Sequence, residues 1–188
     1  MMILILGGSG SGKSAYAEDY LLRTAGDKKK YYIATMQIWD EEMQARHHRL
    51  RQGKGFTTIE QPTALEQAAS QMEPEAAVLL ECMSNLAANE MFSREQPVDR
   101  ETVIAKILQG IEVLRKQADP LVIVTNNVFE DGIAYDSATI EYIEALGRVN
   151  ERLAAEADEV VEVVAGIPQW IKPGSPGAKA QNWQDSRG

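Results

Sequence analysis

The sequence predicts an α/β protein with a P-loop NTPase-like three-layer fold, a mostly parallel central sheet carrying helices on both faces. Two observations predict it. Short apolar runs of strand length alternate with helix-length stretches along the chain, and the first run passes directly into a glycine-rich turn that ends in Gly-Lys-Ser. The chain has 188 residues, long enough for one buried core.

Met2 to Leu6 reads as the first strand, and Ser14 to Arg23 as a helix. Thr24 to Lys30 is a polar break, and Tyr31 to Thr35 a second buried strand. Asp40 to about Gln52 is charged and free of breakers, predicting a mostly exposed helix stopped by Gly53-Lys54-Gly55. Phe56 to Glu60 suits a short strand; Pro62 ends it, and Thr63 is placed to cap a helix from Ala64 to Met72. Ala76 to Cys82 is a further buried strand that carries an acid, Glu81, at its end. A helix from Arg100 to Gln117 places Ile104, Ile107, Leu108, Ile111 and Leu114 on a core face. Leu121 to Asn126 is a strand, Asn127 to Ser137 a loop, Ser137 to about Ala157 a long helix and Glu159 to Val164 another strand. Ala165 to Ile171 returns as an edge strand, because Pro168 is poorly tolerated in a central ladder. Residues 1–172 thus form a single nucleotide-binding domain, and the Gly, Pro, Ser and Gln content of 173–188 predicts a flexible tail.

The chemistry concentrates in Gly7-Gly8-Ser9-Gly10-Ser11-Gly12-Lys13-Ser14. Glycines let backbone N–H groups wrap a phosphate where side chains would block the approach. The helix that follows points its free N–H groups at the same place. Lys13 is expected to reach the β and γ phosphates of a nucleoside triphosphate, and the Ser14 hydroxyl to ligate Mg²⁺. An acid at the end of a strand in such a fold sits near the metal and the attacking group, which makes Glu81 a site candidate.

A net charge of −9 argues against a nucleic-acid partner. Cys82 is the only cysteine, so no intramolecular disulfide forms, which suits a reducing cytoplasm. Met1 to Leu6 is too short for a signal core, and no apolar stretch approaches the ~20 residues of a membrane span. The Asn-Lys-x-Asp base-reading motif of regulatory GTPases is absent, leaving a small-molecule kinase ahead of a non-catalytic nucleotide-binding switch.

The P-loop, Tyr32-Ile33-Ala34-Thr35, Asp40-Glu41-Glu42-Met43, Leu79-Leu80-Glu81-Cys82, Val124-Thr125-Asn126, Gly147-Arg148-Val149-Asn150 and Ala157-Asp158-Glu159-Val160 together resemble one family. It is the bifunctional adenosylcobinamide kinase/adenosylcobinamide-phosphate guanylyltransferase of cobalamin biosynthesis, and the resemblance runs from residue 2 to residue 172. It implies phosphorylation of adenosylcobinamide with ATP or GTP, then GMP transfer from GTP through a histidine-GMP intermediate to give adenosylcobinamide-GDP. The nucleophile it implies is His48, which keeps the spacing to Glu60, with neighbouring His47 as the alternative. The stretch from Asp40 to His48 is about two residues shorter than in family members, a change of roughly 200° in helical phase. A kinase that lacks guanylyl transfer is the alternative this shortening raises. The resemblance further implies that Ala34, Thr35, Met36, Arg49, Leu50, Arg51, Gln52, Glu60 and Glu81 contact nucleotide, and that the protein is a homo-oligomer, specifically a trimer. Asn127 stands where the family has an acid, and Ala134-Tyr135 where it has Val-Pro, so the corrinoid-facing loop differs in detail.

Overall fold

The computed structural model describes residues 1–37, 53–93, 95–127 and 135–174. The sequence-predicted helix over 40–52, the loop residues 128–134 and the tail residues 175–188 lie outside the described residues.

A seven-stranded sheet runs through the domain in the order β3-β2-β4-β5-β1-β6-β7. Its strands are β1 (Met2–Leu6), β2 (Lys30–Ala34), β3 (Phe56–Glu60), β4 (Ala76–Glu81), β5 (Ala118–Val124), β6 (Glu159–Val164) and β7 (Ile167–Lys172). All neighbours are parallel except β6 and β7, which pair as an antiparallel hairpin. The expected return strand around Pro168 therefore sits at the sheet edge, where a missing N–H breaks no central ladder. The central strands carry continuous apolar runs because both their faces are covered: Met2 to Ile5 and Leu121 to Val124 are wholly buried.

One face carries α1 (Lys13–Thr24), whose Tyr16, Ala17, Tyr20 and Leu21 pack on Ile3, Ile5, Tyr32, Leu79 and Val122. The opposite face carries α2 (Met83–Phe92), α3 (Arg100–Arg115) and α4 (Ser137–Glu156), packed on Met2, Leu4, Ile33, Leu80 and Ile123. Asp99 and Asp136 cap α3 and α4 by accepting from the backbone N–H of Thr102 at 3.0 Å and of Thr139 at 2.8 Å. From β1 the chain crosses over β5 and β4 to reach β2, whereas β6 lies on the other side of β1. The strand order thus reverses beside β1, the position where open α/β sheets hold ligands at their carboxyl ends.

Three expectations need correction. No α-helix caps on Thr63; Leu65–Gln71 is a 3-10 helix entered through Ala64 in the left-handed region, at φ 52°. The Ala64 N–H is satisfied by Glu90 Oε1 of α2 at 2.6 Å, so the capping group comes from a distant helix. Second, α2 is absent from the elements the sequence predicts. Its Met83, Leu86, Ala87 and Met91 are buried at helical spacing, but its N-cap, Cys82, makes no side-chain capping bond. Third, β5 begins at Ala118 rather than Leu121: Ala118 pairs with Ala76 and Leu121 with Val78, so β5 accommodates one extra residue at Asp119-Pro120.

Candidate active site

The P-loop joins β1 to α1 and is shaped by its glycines. A Cβ on Gly7 would overlap the Ser11 side chain and stand 2.7 Å from the Val163 carbonyl oxygen of β6. Gly12, the N-cap of α1, has φ 89°, a conformation that disfavours any side chain. Within the turn the Ser11 N–H donates to the Gly8 carbonyl at 3.2 Å. The β6–β7 turn supports it from the side: the Gly166 N–H donates to the Ser11 carbonyl at 2.8 Å. Lys13 is buried, and its Nζ donates back to the Gly8 carbonyl at 3.1 Å, folding the ammonium over the loop.

Ser14, in the first turn of α1, donates its hydroxyl to Glu81 Oε1 at the carboxyl end of β4. Glu81 Oε2 accepts from the Tyr32 phenol at 2.7 Å. Strand register explains the meeting. Ala34 pairs with Glu81 on one side and Glu60 on the other, so both acids flank Ala34 on the α1 face of the sheet. Glu81 turns to the P-loop; Glu60 stands about 10 Å away across two strand spacings and is exposed.

Thr35 is fully buried and engaged within the protein. Its hydroxyl donates to the Cys82 carbonyl at 2.7 Å and accepts from the Cys82 N–H at 2.8 Å, tying β2 to β4. Asn89 of α2 donates to the carbonyls of Thr35 at 2.7 Å and Pro62 at 3.0 Å, fixing the ends of β2 and β3 together. Met36 is partly exposed beyond them. Past β5, Thr125 Oγ1 donates to Asn150 Oδ1 at 2.8 Å and Asn126 Nδ2 to Ser84 Oγ at 2.8 Å, so the Val-Thr-Asn stretch is anchored to α2 and α4. The Asn127 N–H reaches the Gly7 carbonyl at 3.3 Å.

The structure therefore brings Lys13, Ser14 and Glu81 together. His47, His48, Arg49, Leu50, Arg51 and Gln52 lie outside the described residues. Sequence reasoning misses Tyr32 and Asn89 as site-shaping residues; the signal for Tyr32 is its parity with Ala34 on a strand adjoining Glu81.

Among the described residues no group of three or more His, Cys, Asp or Glu side chains is arranged to hold a metal. The Ser14 hydroxyl and Glu81 carboxylate do supply adjacent hard oxygen donors. That pair fits Mg²⁺, which binds through one or two protein oxygens, with substrate phosphates and water completing its shell.

Over residues 3–171 the chain matches the family described as cobinamide kinase / cobinamide phosphate guanyltransferase. It is 35% identical over 185 residues to the bifunctional adenosylcobalamin biosynthesis protein CobU of Escherichia coli (strain K12), across 92% of this chain and 100% of that protein. The Salmonella typhimurium protein of the same name is 35% identical over 190 residues, again across 92% and 100%. Among solved structures, one ATPase domain superposes with a TM-score of 0.52 at 11% identity, covering 86% of this chain and 68% of that one. This last likeness bears on the fold alone.

Proposed function

Because the chain belongs to the cobinamide kinase / cobinamide phosphate guanyltransferase family, we propose that it phosphorylates adenosylcobinamide with ATP or GTP and then transfers GMP from GTP to the product. The single observation that carries the kinase half is the contact between Ser14 of the P-loop and Glu81 at the end of β4. It joins the phosphate-binding turn to an acid where an acceptor hydroxyl would approach.

In the first reaction, the P-loop amides and the N-terminus of α1 hold the triphosphate. Lys13 leaves the Gly8 carbonyl to meet the transferring phosphoryl group, offsetting the charge that spreads over its oxygens. Ser14 and Glu81 would hold Mg²⁺, which supplies charge neutralisation on the β and γ phosphates when bound. The acceptor hydroxyl of adenosylcobinamide attacks the γ-phosphorus, and the nucleoside diphosphate departs.

In the second reaction, a neutral imidazole, His48 with His47 as alternative, attacks the α-phosphorus of GTP. A nitrogen–phosphorus bond forms and pyrophosphate leaves. An oxygen of adenosylcobinamide phosphate then displaces the histidine, giving adenosylcobinamide-GDP. Glu60, together with Ala34, Met36 and residues 49–52, would contact the guanine nucleotide.

We further infer one catalytic domain over residues 1–172 and a cytoplasmic homotrimer. No described helix is long and apolar enough to cross a membrane.

The test is to incubate the purified protein with Mg²⁺, adenosylcobinamide and GTP labelled at the α-phosphate. Adenosylcobinamide phosphate and labelled adenosylcobinamide-GDP are expected, together with an acid-labile, alkali-stable protein adduct lost in His48→Ala. The phosphate alone, with no adduct, would reduce the protein to its kinase activity. Absence of both products would overturn the reading.

A further inference from the structure

We infer that Tyr32 is a positioning residue for Glu81, fixing one carboxylate oxygen so that the other faces the P-loop serine. The inference rests on the reading above that Glu81 serves the phosphoryl-transfer site.

Register sets the geometry. Tyr32 pairs with Leu79 and Ala34 with Glu81, so Tyr32 and Glu81 lie on the same sheet face as diagonal neighbours across β2 and β4. A long aromatic side chain spans that diagonal. The Tyr32 ring is almost wholly buried and meets Phe56 edge-on, with centroids 6.1 Å apart and an interplanar angle of 81°. Its phenol then donates to Glu81 Oε2 at 2.7 Å, while Oε1 accepts from Ser14. The last torsion of a glutamate is broad and roughly two-fold, so an unheld carboxylate samples many orientations. A buried donor behind it selects one. Tyr31, the preceding residue, faces the other side of the sheet, where its oxygen accepts from the Glu73 N–H at 3.2 Å. Two adjacent tyrosines thus have different tasks, decided by strand parity.

The experiment compares Tyr32→Phe, Glu81→Gln and the double variant, each as the full chain. Tyr32→Phe keeps the packed ring and removes the hydroxyl. Two quantities are read: kinase turnover, and the gain in affinity for a non-hydrolysable GTP analogue on adding Mg²⁺, measured calorimetrically. Tyr32→Phe is expected to lower kcat and the Mg²⁺-linked affinity gain about 10-fold each, with nucleotide KM within about twofold of wild type. In the Glu81→Gln background the same change is expected to add nothing, because the amide oxygen can still accept from Tyr32 but the charged carboxylate it positions is gone. Wild-type kcat and affinity gain in Tyr32→Phe, beside an impaired Glu81→Gln, would overturn the positioning role alone. Losses that multiply in the double variant would also overturn it. Full turnover in Glu81→Gln would instead remove the underlying reading of Glu81.

Discussion

Two carboxylates on the α1 face each accept a tyrosine hydroxyl, and they sit at opposite ends of the sheet. Glu81 closes β4 at the carboxyl edge, partly exposed, with Tyr32 on one oxygen and the P-loop serine on the other. Glu159 opens β6 at the amino edge, only 2% exposed, with Tyr20 of α1 on Oε2 at 2.6 Å. Its other oxygen is covered by backbone, since a Cβ on Gly174 would overlap Oε1. Beside it, Lys172 Nζ donates to the Ala157 carbonyl, closing the C-terminus of α4. The chemistry of the two pairs is the same, but access differs: a carboxylate sealed under chain holds elements together, whereas one left partly open beside a glycine turn can meet a ligand.

Disabling the open end has the largest expected effect. Lys13→Ala removes the cation that meets the transferring phosphate, and kinase turnover is expected to fall by about 10³-fold or more with the fold retained. Residual turnover near wild type in a steady-state assay would blur the distinction between the ends. Closing the open end sterically comes next. Gly7→Ala drives a methyl against the Val163 carbonyl and Ser11, and calorimetric nucleotide affinity is expected to drop by at least about 10-fold. At the sealed end the effect moves to stability. Tyr20→Phe strips a buried carboxylate of its donor, a loss of about 1–3 kcal/mol in denaturant unfolding, while kcat stays at its wild-type value. Burial and then the Glu159 bond hold the Tyr20 phenol far above its ordinary pKa, so it stays a donor at every working pH.

The smallest effect comes from acid. Asp99 and Asp136 are held below their ordinary pKa by hydrogen bonds from Thr102 and Thr139, and Asp119 by bonds from Lys28 and then the N-terminus. Their folded values lie below their unfolded ones. Their contribution is therefore fully present above the ordinary 3.8 and is lost as pH falls through the lower folded values. The melting temperature should accordingly decline below that pH, with a shallower decline in Asp99→Ala.

What the sequence made legible was local. The apolar run before Gly7, the glycine spacing and the strand-end acid Glu81 each lie in a few consecutive residues, and the structure brings Lys13, Ser14 and Glu81 together. Features set by distant partners were not legible. Cys82 passes from β4 into α2 with no capping side chain to mark the boundary. Ala64 takes its capping partner from Glu90, so Thr63 is a misleading signal. The role of Tyr32 depends on which residue of β4 stands beside it, and strand register across a parallel pair is not written in either strand alone.

The most direct measurement is kinase turnover alongside melting temperature for Glu81→Gln and Glu159→Gln. The expected result is a crossed pattern: Glu81→Gln loses about 10²-fold or more in kcat with its melting temperature little changed, and Glu159→Gln keeps kcat but melts several degrees lower, at about 2–4 °C per kcal/mol. Wild-type turnover in Glu81→Gln, or loss of turnover in a stably folded Glu159→Gln, would contradict the assignment of the site to the β4 end of the sheet.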